Sequence, residues 1–346
     1  MSDKTVGVIG AGSFGTAVAN LLAENGKVLI YARRQEVIDK ILSTRENLNQ
    51  KVNKNVEPTG DLQRIASECT LIFPTVPSAF FSDVLKQINP YLRPDHILIH
   101  GTKGFNVKLK DGETFDDLKT ISRNRFQTMS ELILKETVVV RVGCISGPNL
   151  ARELALHLPA GTVIASHFEE VIQEGRRALK SPRLQAFGSH DLFGVELAGA
   201  LKNVIAIGSG AVTGMELGEN TRALLISKSL GELVRIGKAL GADIKSFLGL
   251  AGIGDIIATA TSSLSRNYTV GYRLARGETL QHVIDTSEEV AEGIHTVKVA
   301  KKLADHYKVR APIIQIIHKM LFEELPAPEA LEYLMKYQFE QDVDFL

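Results

Sequence analysis

The 346-residue sequence predicts an α/β fold, with a doubly wound sheet over residues 1–190 followed by a mostly α-helical domain over 191–346. Three observations predict it. Residues 5–32 read as strand, glycine-rich turn, helix and strand, a unit that must cross over right-handedly into a parallel sheet. Further β-branched runs, interleaved with helical patterns, continue to residue 166. Beyond about residue 190 the apolar spacing turns helical and no convincing strand remains.

TVGVIG at 5–10 is the first strand, and GTAVANLLAE at 15–24 has helical spacing that stops at Asn25-Gly26. KVLIYA at 27–32 is the second strand, and TLIFPTV (70–76), HILIH (96–100), TVVVRV (137–142) and TVIAS (162–166) supply more. Residues 106–135 carry several Lys, Arg and Asp and read as a surface loop and helix. Helices are expected over 195–212, 221–240, 270–276, 287–305 and 313–323. The most apolar stretch, Leu192 to Val212, contains Glu196, Lys202 and Asn203, which would be costly in lipid; it reads as a buried core helix and not a membrane span. Gln338 to Leu346 reads as a loose tail.

Composition narrows the function. Forty Lys and Arg balance forty Asp and Glu, so the basic excess that duplex nucleic acid demands is missing, and any bound anion is small and held locally. Cys69 and Cys144 are far apart and without His clusters, which gives neither a disulfide framework nor a metal site; two buried, reduced thiols are expected. The apolar run at the N-terminus is too short for a secretory signal, so a soluble, cytoplasmic protein is expected.

Gly10-Ala-Gly12-Ser13-Phe14-Gly15 fits G-x-G-x-x-G between a strand and a helix. Gly10 serves the tight turn, Gly12 lets the backbone approach a pyrophosphate, and Gly15 lets the helix lie close to the sheet, while the helix N-terminus offers N–H groups to the phosphates. That is the fingerprint of a Rossmann-like dinucleotide site. The second strand ends in Arg33-Arg34 where an NAD site usually has an acidic residue, so NADP is favoured over NAD; two surface charges are the other reading.

Lys103, between Gly101 and Gly104 at the carboxyl edge of a strand, is placed to point into the ligand crevice of an open sheet. Ser146-Gly147-Pro148-Asn149-Leu150-Ala151 makes a turn and a helix start that can meet a ligand or serve only as a turn. Lys202 and Asn203 interrupt an apolar helix, and a buried lysine is expensive unless paired, so it is either a structural ion pair or an acid–base group. Asp255 at a helix start is a candidate partner or a cap. Ser265-Arg266-Asn267 combines a hydroxyl, a planar guanidinium and an amide, donors suited to a phosphate monoester or to an exposed turn. Ser287 to Gly293 also reads as a capped acidic helix start.

Together these segments resemble the bacterial NAD(P)-dependent sn-glycerol-3-phosphate dehydrogenases, from Val6 to about Glu332. The resemblance rests on GAGSFGTAVA at 10–19, GTKGF at 101–105, SGPNLARE at 146–153, ELAGALKNVIAIGSG at 196–210, GIGDIIAT at 252–259, SRN at 265–267 and VAEG at 290–293. It implies hydride transfer between NAD(P)H and dihydroxyacetone phosphate, feeding phospholipid synthesis. It also implies a cofactor site of Gly10, Gly12, Ser13, Phe14, Gly15, Arg33, Arg34, Lys103, Ala151, Arg266, Val290 and Glu292. The implied substrate site is Lys103, Gly147, Asn149, Lys202, Asp255, Ser265, Arg266 and Asn267, with Lys202 as proton acceptor and Lys103 and Asp255 also in the catalytic set. No metal is implied, and there is room for a homodimer. Phe14 stands where many relatives have Trp, Asn149 where Ser or Thr is usual, and 106–135 is longer than the family norm. The alternatives are another two-domain NAD(P)-dependent hydroxy-acid dehydrogenase, or a dinucleotide-sensing module without turnover. A carboxylate substrate has no need of the SRN trio, and a sensor has no need of Lys103, Lys202 and Asp255 together.

Overall fold

The computed structural model describes residues 4–287, 290–338 and 341–343. By contacts the chain forms two compact units, residues 1–103 with 128–196, and residues 104–127 with 197–346. The division thus falls at 196/197 where the sequence suggested 190/191, and 104–127 leaves the first unit. The reason is hydrogen bonding: Lys302 Nζ donates to the carbonyls of Phe115 and Leu118, Ile121 N donates to Lys302 O at 3.2 Å, and Lys298 pairs with Asp116 at 3.2 Å.

The first unit opens with β1 (Val6–Ile9), α1 (Ser13–Leu22), β2 (Val28–Tyr31) and α2 (Gln35–Thr44). A small hairpin follows, β3 (Glu46–Asn47) and β4 (Gln50–Lys51), then β5 (Val56–Thr59), α3 (Leu62–Glu68), β6 (Leu71–Pro74), α4 (Phe81–Ile88) and β7 (Ile97–His100). The second unit's insert contributes a two-residue ladder, β8 (Asn106–Val107) with β9 (Phe126–Gln127). The first unit resumes with α5 (Met129–Glu136), β10 (Arg141–Ser146), α6 (Ala151–Ala155), β11 (Ala160–Ser166), α7 (Glu169–Ala178) and β12 (Leu184–Ser189). The eight-stranded sheet runs β12-β11-β10-β7-β6-β1-β2-β5, parallel throughout except where β10 meets β11. Strands such as β2 are buried on both faces, which is why they read as unbroken apolar runs. The order reverses at β1: the chain goes one way to β2 and β5 and the other to β6 and β7, so the switch point lies between the carboxyl ends of β1 and β6.

The expected strand 137–142 is displaced to Arg141–Ser146. Thr137 caps the end of α5, its N–H and hydroxyl both donating to Ile133 O, and the alternation of exposed Val138 and Val140 about buried Val139 only imitates a strand. The helix expected inside 106–135 is α5, started by a capping box between Thr128 and Glu131.

The second unit is helical: α8 (Leu192–Gly214, of which 197–214 belong here), α9 (Glu219–Leu240), α10 (Ile244–Leu248), α11 (Asp255–Ala260), α12 (Arg266–Ala275), α13 (Leu280–Asp285), α14 (Glu292–Tyr307), α15 (Pro312–Phe322) and α16 (Ala327–Lys336). The most apolar window of α8 is 94% buried, so it is a core helix, as its polar interruptions suggested. Helix α12 crosses α8 at touching distance: a Cβ on Gly210 would lie 1.9 Å from Tyr268 O, and one on Gly271 1.8 Å from Ile207 O. The helix expected over 287–305 begins at Glu292, and Glu288 and Glu289 lie outside the described residues. In the expected loose tail, Asp342 pairs with Lys228 at 2.8 Å, while 339–340 and 344–346 lie outside the described residues. Glu232 on α9 is fully buried and accepts the N–H groups of Ile313 (2.8 Å) and Ile314 (2.9 Å) at the start of α15. Both cysteines are free and buried, and burial pushes the Cys69 thiol up to about 12 and Cys144 well above its ordinary value, so neither is a thiolate nucleophile.

Candidate active site

In the first unit the glycine-rich turn stands at the switch point. Gly10 is left-handed (φ +114°), and a Cβ on Gly15 would lie 1.9 Å from Gly10 O, so helix α1 is pressed onto the turn. A Cβ on Gly12 would meet nothing within 4 Å, and no side chain caps the helix start there. The turn is held from behind by Thr75, whose hydroxyl donates to Ile9 O (3.1 Å) and Gly10 O (3.2 Å). This cradle fits a pyrophosphate: open space at Gly12, N–H donors of a ten-residue helix, and no acidic side chain in its first turn.

Around it, Phe14 packs on the Gly101 backbone, where a Cβ would come within 2.6 Å of its ring. Arg33 is exposed with its guanidinium 5.8 Å from the centroid of the Phe80 ring, and Arg34 stands exposed at the start of α2. Lys103 Nζ donates to Gly147 O at 3.2 Å, Gly147 itself being left-handed (φ +145°). The structure thus joins two segments the sequence marked separately. Asn149 donates from Nδ2 to Gly161 O (2.9 Å) and accepts from Thr162 Oγ1 (2.8 Å), so its amide also fixes the turn to β11. Ala151 is the first residue of α6. Beside these, at the end of β7, the buried His100 ring meets Glu196 Oε1 at 2.9 Å, and Ser130 N donates to the same oxygen at 2.8 Å. Glu196 is marked in the sequence as a polar interruption of an apolar stretch, but nothing there points to His100 as its partner.

In the second unit Lys202 is 6% exposed and Asp255 2% exposed, with Nζ 3.0 Å from Asp255 Oδ1. Lys202 also donates to the Thr259 hydroxyl, which donates in turn to Asp255 Oδ1 at 3.1 Å. Asp255 is not the helix cap its position in the sequence suggested: a π-helical turn, Leu250–Gly254, runs straight into α11, so Asp255 lies inside a continuous helix, and Thr259 lies one turn later on the same face. Thr259 was legible in principle from that four-residue spacing. Asn203 is buried next along α8. At the start of α12, Ser265 caps the helix by accepting from Tyr268 N (3.3 Å), Arg266 is exposed with Nη1 3.4 Å from Val290 O, and Asn267 Oδ1 accepts from Gly293 N (2.9 Å). Ser265, Arg266, Asn267, Val290 and the residue after Glu292 are therefore gathered in space. The alternative of an exposed turn holds for Arg266 alone: Ser265 and Asn267 are buried, and Ser265 caps α12 while the Arg266 guanidinium is exposed.

The family model described as NAD-dependent glycerol-3-phosphate dehydrogenase N-terminus matches residues 5–172, and the corresponding C-terminus model matches 191–332. A glycerol-3-phosphate dehydrogenase [NAD(P)+] of Pseudomonas aeruginosa (strain LESB58) is 41% identical over 349 aligned positions, covering 99% of this chain and 98% of that protein. This chain belongs to the NAD-dependent glycerol-3-phosphate dehydrogenase family. A further dehydrogenase of this name, from Teredinibacter turnerae (strain ATCC 39867 / T7901), is 38% identical across 98% of this chain and 96% of its own length. The crystal structure of glycerol-3-phosphate dehydrogenase from Coxiella burnetii superposes with a TM-score of 0.86 at 28% identity, covering 97% of this chain and 99% of the other. Family membership accounts for both clusters lying on one chain, a glycine-rich cradle in one unit and a buried lysine–carboxylate pair in the other.

Proposed function

We propose that this chain transfers a hydride reversibly between NAD(P)H and dihydroxyacetone phosphate, giving sn-glycerol 3-phosphate for phospholipid synthesis. The observation that carries the reading is the buried Lys202–Asp255–Thr259 set, in a chain 41% identical to a glycerol-3-phosphate dehydrogenase over nearly its full length. On this reading the unit of residues 1–103 and 128–196 binds the NAD(P), and the unit of residues 104–127 and 197–346 is the substrate-binding domain. A bound nicotinamide supplies or takes the hydride at the substrate's central carbon.

The protein's residues do the rest. Gly10, Gly12, Ser13, Phe14 and Gly15 hold the dinucleotide at the α1 N-terminus, with Ala151, Val290 and Glu292 contacting it further along the chain. Arg33 and Arg34 favour NADP by offering guanidinium groups to a 2′-phosphate. Lys202 as ammonium gives a proton to the carbonyl oxygen during reduction, and as free amine takes it back during oxidation. Asp255 and Thr259 fix where that nitrogen stands, each within a hydrogen bond of it. Lys103 adds a second positive charge for the substrate and cofactor, held by Gly147 O. Ser265, Arg266 and Asn267 grip the phosphate, with Arg266 also reaching the cofactor and Gly147 and Asn149 completing the substrate contacts, so binding energy far from the reacting carbon orients it. A homodimer in the cytoplasm completes the proposal.

The test is loss of nicotinamide absorbance with dihydroxyacetone phosphate, run separately with NADPH and NADH on the wild type. Turnover, faster with NADPH, is expected. Tight dinucleotide binding without turnover would replace the enzyme with a sensor, and turnover only on a hydroxy or keto acid would replace its substrate.

A further inference from the structure

The hairpin β3–β4 is an odd element, two residues per strand, and its sequence Glu46-Asn47-Leu48-Asn49-Gln50-Lys51 carries no glycine at the turn. Leu48 (φ +47°) and Asn49 (φ +61°) are nevertheless both left-handed, the two-residue turn that matches strand twist. A leucine held there is strained, so something must hold the hairpin in place. Asn47 pairs with Gln50 and Glu46 with Lys51 across the ladder, and residues directly opposite each other share a face. Asn47 and Gln50 turn inward, 3% and 4% exposed, and both spend their amides on the glycine-rich turn. Asn47 Nδ2 donates to Ala11 O (2.9 Å) and to Thr16 Oγ1 (2.8 Å); Gln50 Nε2 donates to Ser13 O (3.0 Å) and to Ser13 Oγ (3.0 Å).

The Gln50 bonds have a polarity. Ser13 O is a carbonyl and can only accept, so the group facing Ser13 is the amide NH2, and Gln50 Oε1 is left buried without a partner. Ser13 Oγ accepts one N–H of Gln50, and among the described residues no acceptor takes its own hydrogen. That hydrogen is thereby directed away from Gln50, at the first residue of α1. We infer that Gln50 is a positioning residue that orients the Ser13 hydroxyl as a donor to a dinucleotide phosphate. The inference rests on the dinucleotide reading proposed above and adds to it a residue from an element that carries no fingerprint.

The experiment is direct titration of NADPH into wild type, Gln50→Met, Gln50→Glu, Ser13→Ala and the double variant Gln50→Met/Ser13→Ala, with kcat and both KM values measured alongside. Gln50→Met keeps the length but donates nothing, and a hydrogen bond to a charged group accounts for roughly 10-fold or more in affinity. The expected result is a rise of about 10-fold in the NADPH dissociation constant and in its KM, with kcat and the KM for dihydroxyacetone phosphate within about 2-fold of wild type. Ser13→Ala is expected to lose a similar factor, and the double variant no more than Ser13→Ala alone, because both act through one hydroxyl. Gln50→Glu has the same shape but a carboxylate that claims the Ser13 hydrogen and repels phosphate, so it loses more than Gln50→Met. A merely structural Gln50 gives fully additive losses, or equal losses in both KM values, and either overturns the inference, as does unaltered binding by Gln50→Met. Failure of the wild type to bind NADPH overturns the dinucleotide reading itself and is seen before any variant is compared.

Discussion

Replacing Lys202 with methionine separates what the buried pair does for the fold from what it does for the reaction. Asp255 is 2% exposed and lies 3.0 Å from Nζ, so removing the ammonium strands a carboxylate with the Thr259 hydroxyl still donating to it. Breaking one side of a buried pair costs about 3–5 kcal/mol, a large part of an ordinary domain's stability. In the double variant Lys202→Met/Asp255→Asn no charge is stranded, and most of that loss is expected to return. The reaction behaves differently. Losing a positioned proton donor costs about 10²–10⁴-fold in rate, and the double variant cannot recover it. Urea unfolding followed by fluorescence reads the first quantity; decay of nicotinamide absorbance at saturating NADPH and dihydroxyacetone phosphate reads the second. Stability restored in the double variant with kcat still depressed is the expected pair of results. A folded Lys202→Met that turns over within about 10-fold of wild type would refute Lys202 as the proton carrier, leaving it a structural ion pair.

The remaining predictions use the same contrast of fold against site. Gly12→Ala adds a Cβ where nothing lies within 4 Å, so stability should stay within about 0.5 kcal/mol while NADPH affinity falls about 10-fold or more in titration. Gly15→Ala drives a Cβ to 1.9 Å from Gly10 O and should lower the melting point as well, overpacking costing about 1–3 kcal/mol. Arg33→Ala with Arg34→Ala should bring the kcat/KM ratio of NADPH over NADH down about 10-fold, mainly by loss with NADPH; an unchanged ratio would make both arginines surface charges. Burial pushes the Glu232 carboxyl from 4.5 up to about 8, outweighing the two N–H groups of α15 that it accepts. The folded state then holds this proton longer than the unfolded chain does, so its contribution to stability is present in full below about 4.5 and is lost as pH rises through about 8. Melting curves of wild type against Glu232→Gln across that window should show the wild type falling relative to the variant; parallel curves would mean the carboxyl is ionised throughout.

Much of this protein is written locally. Strands β1, β2, β6 and β7, helix α1 and the glycine-rich turn follow from apolar period and from glycines whose missing Cβ atoms the packing requires, as at Gly15. The apolar length of α8, interrupted by Lys202 and Asn203, likewise marks a core helix with a buried charge to be paired. Patterns shared by two conformations are not resolved locally: Val138-Val139-Val140 alternates like a strand, yet the hydrogen bonds of Thr137 to the end of α5 delay β10 to Arg141. Nor does sequence position say which unit a segment joins. Residues 104–127 are flanked on both sides by the first unit, and it is the carbonyls they offer to Lys302 that assign them to the second.

The sequence by itself determined the chemistry available, a phosphate-binding turn, a buried lysine and an acid to meet it, because glycine and charge constrain backbone and solvation wherever they fall. Only the tertiary structure decided partnership. Thr259 joins Lys202 and Asp255, Thr75 braces Gly10, and Asn47 with Gln50 clasps the turn at Ala11 to Thr16, since hydrogen bonds depend on distances of about 3 Å between residues that lie tens of positions apart in the chain.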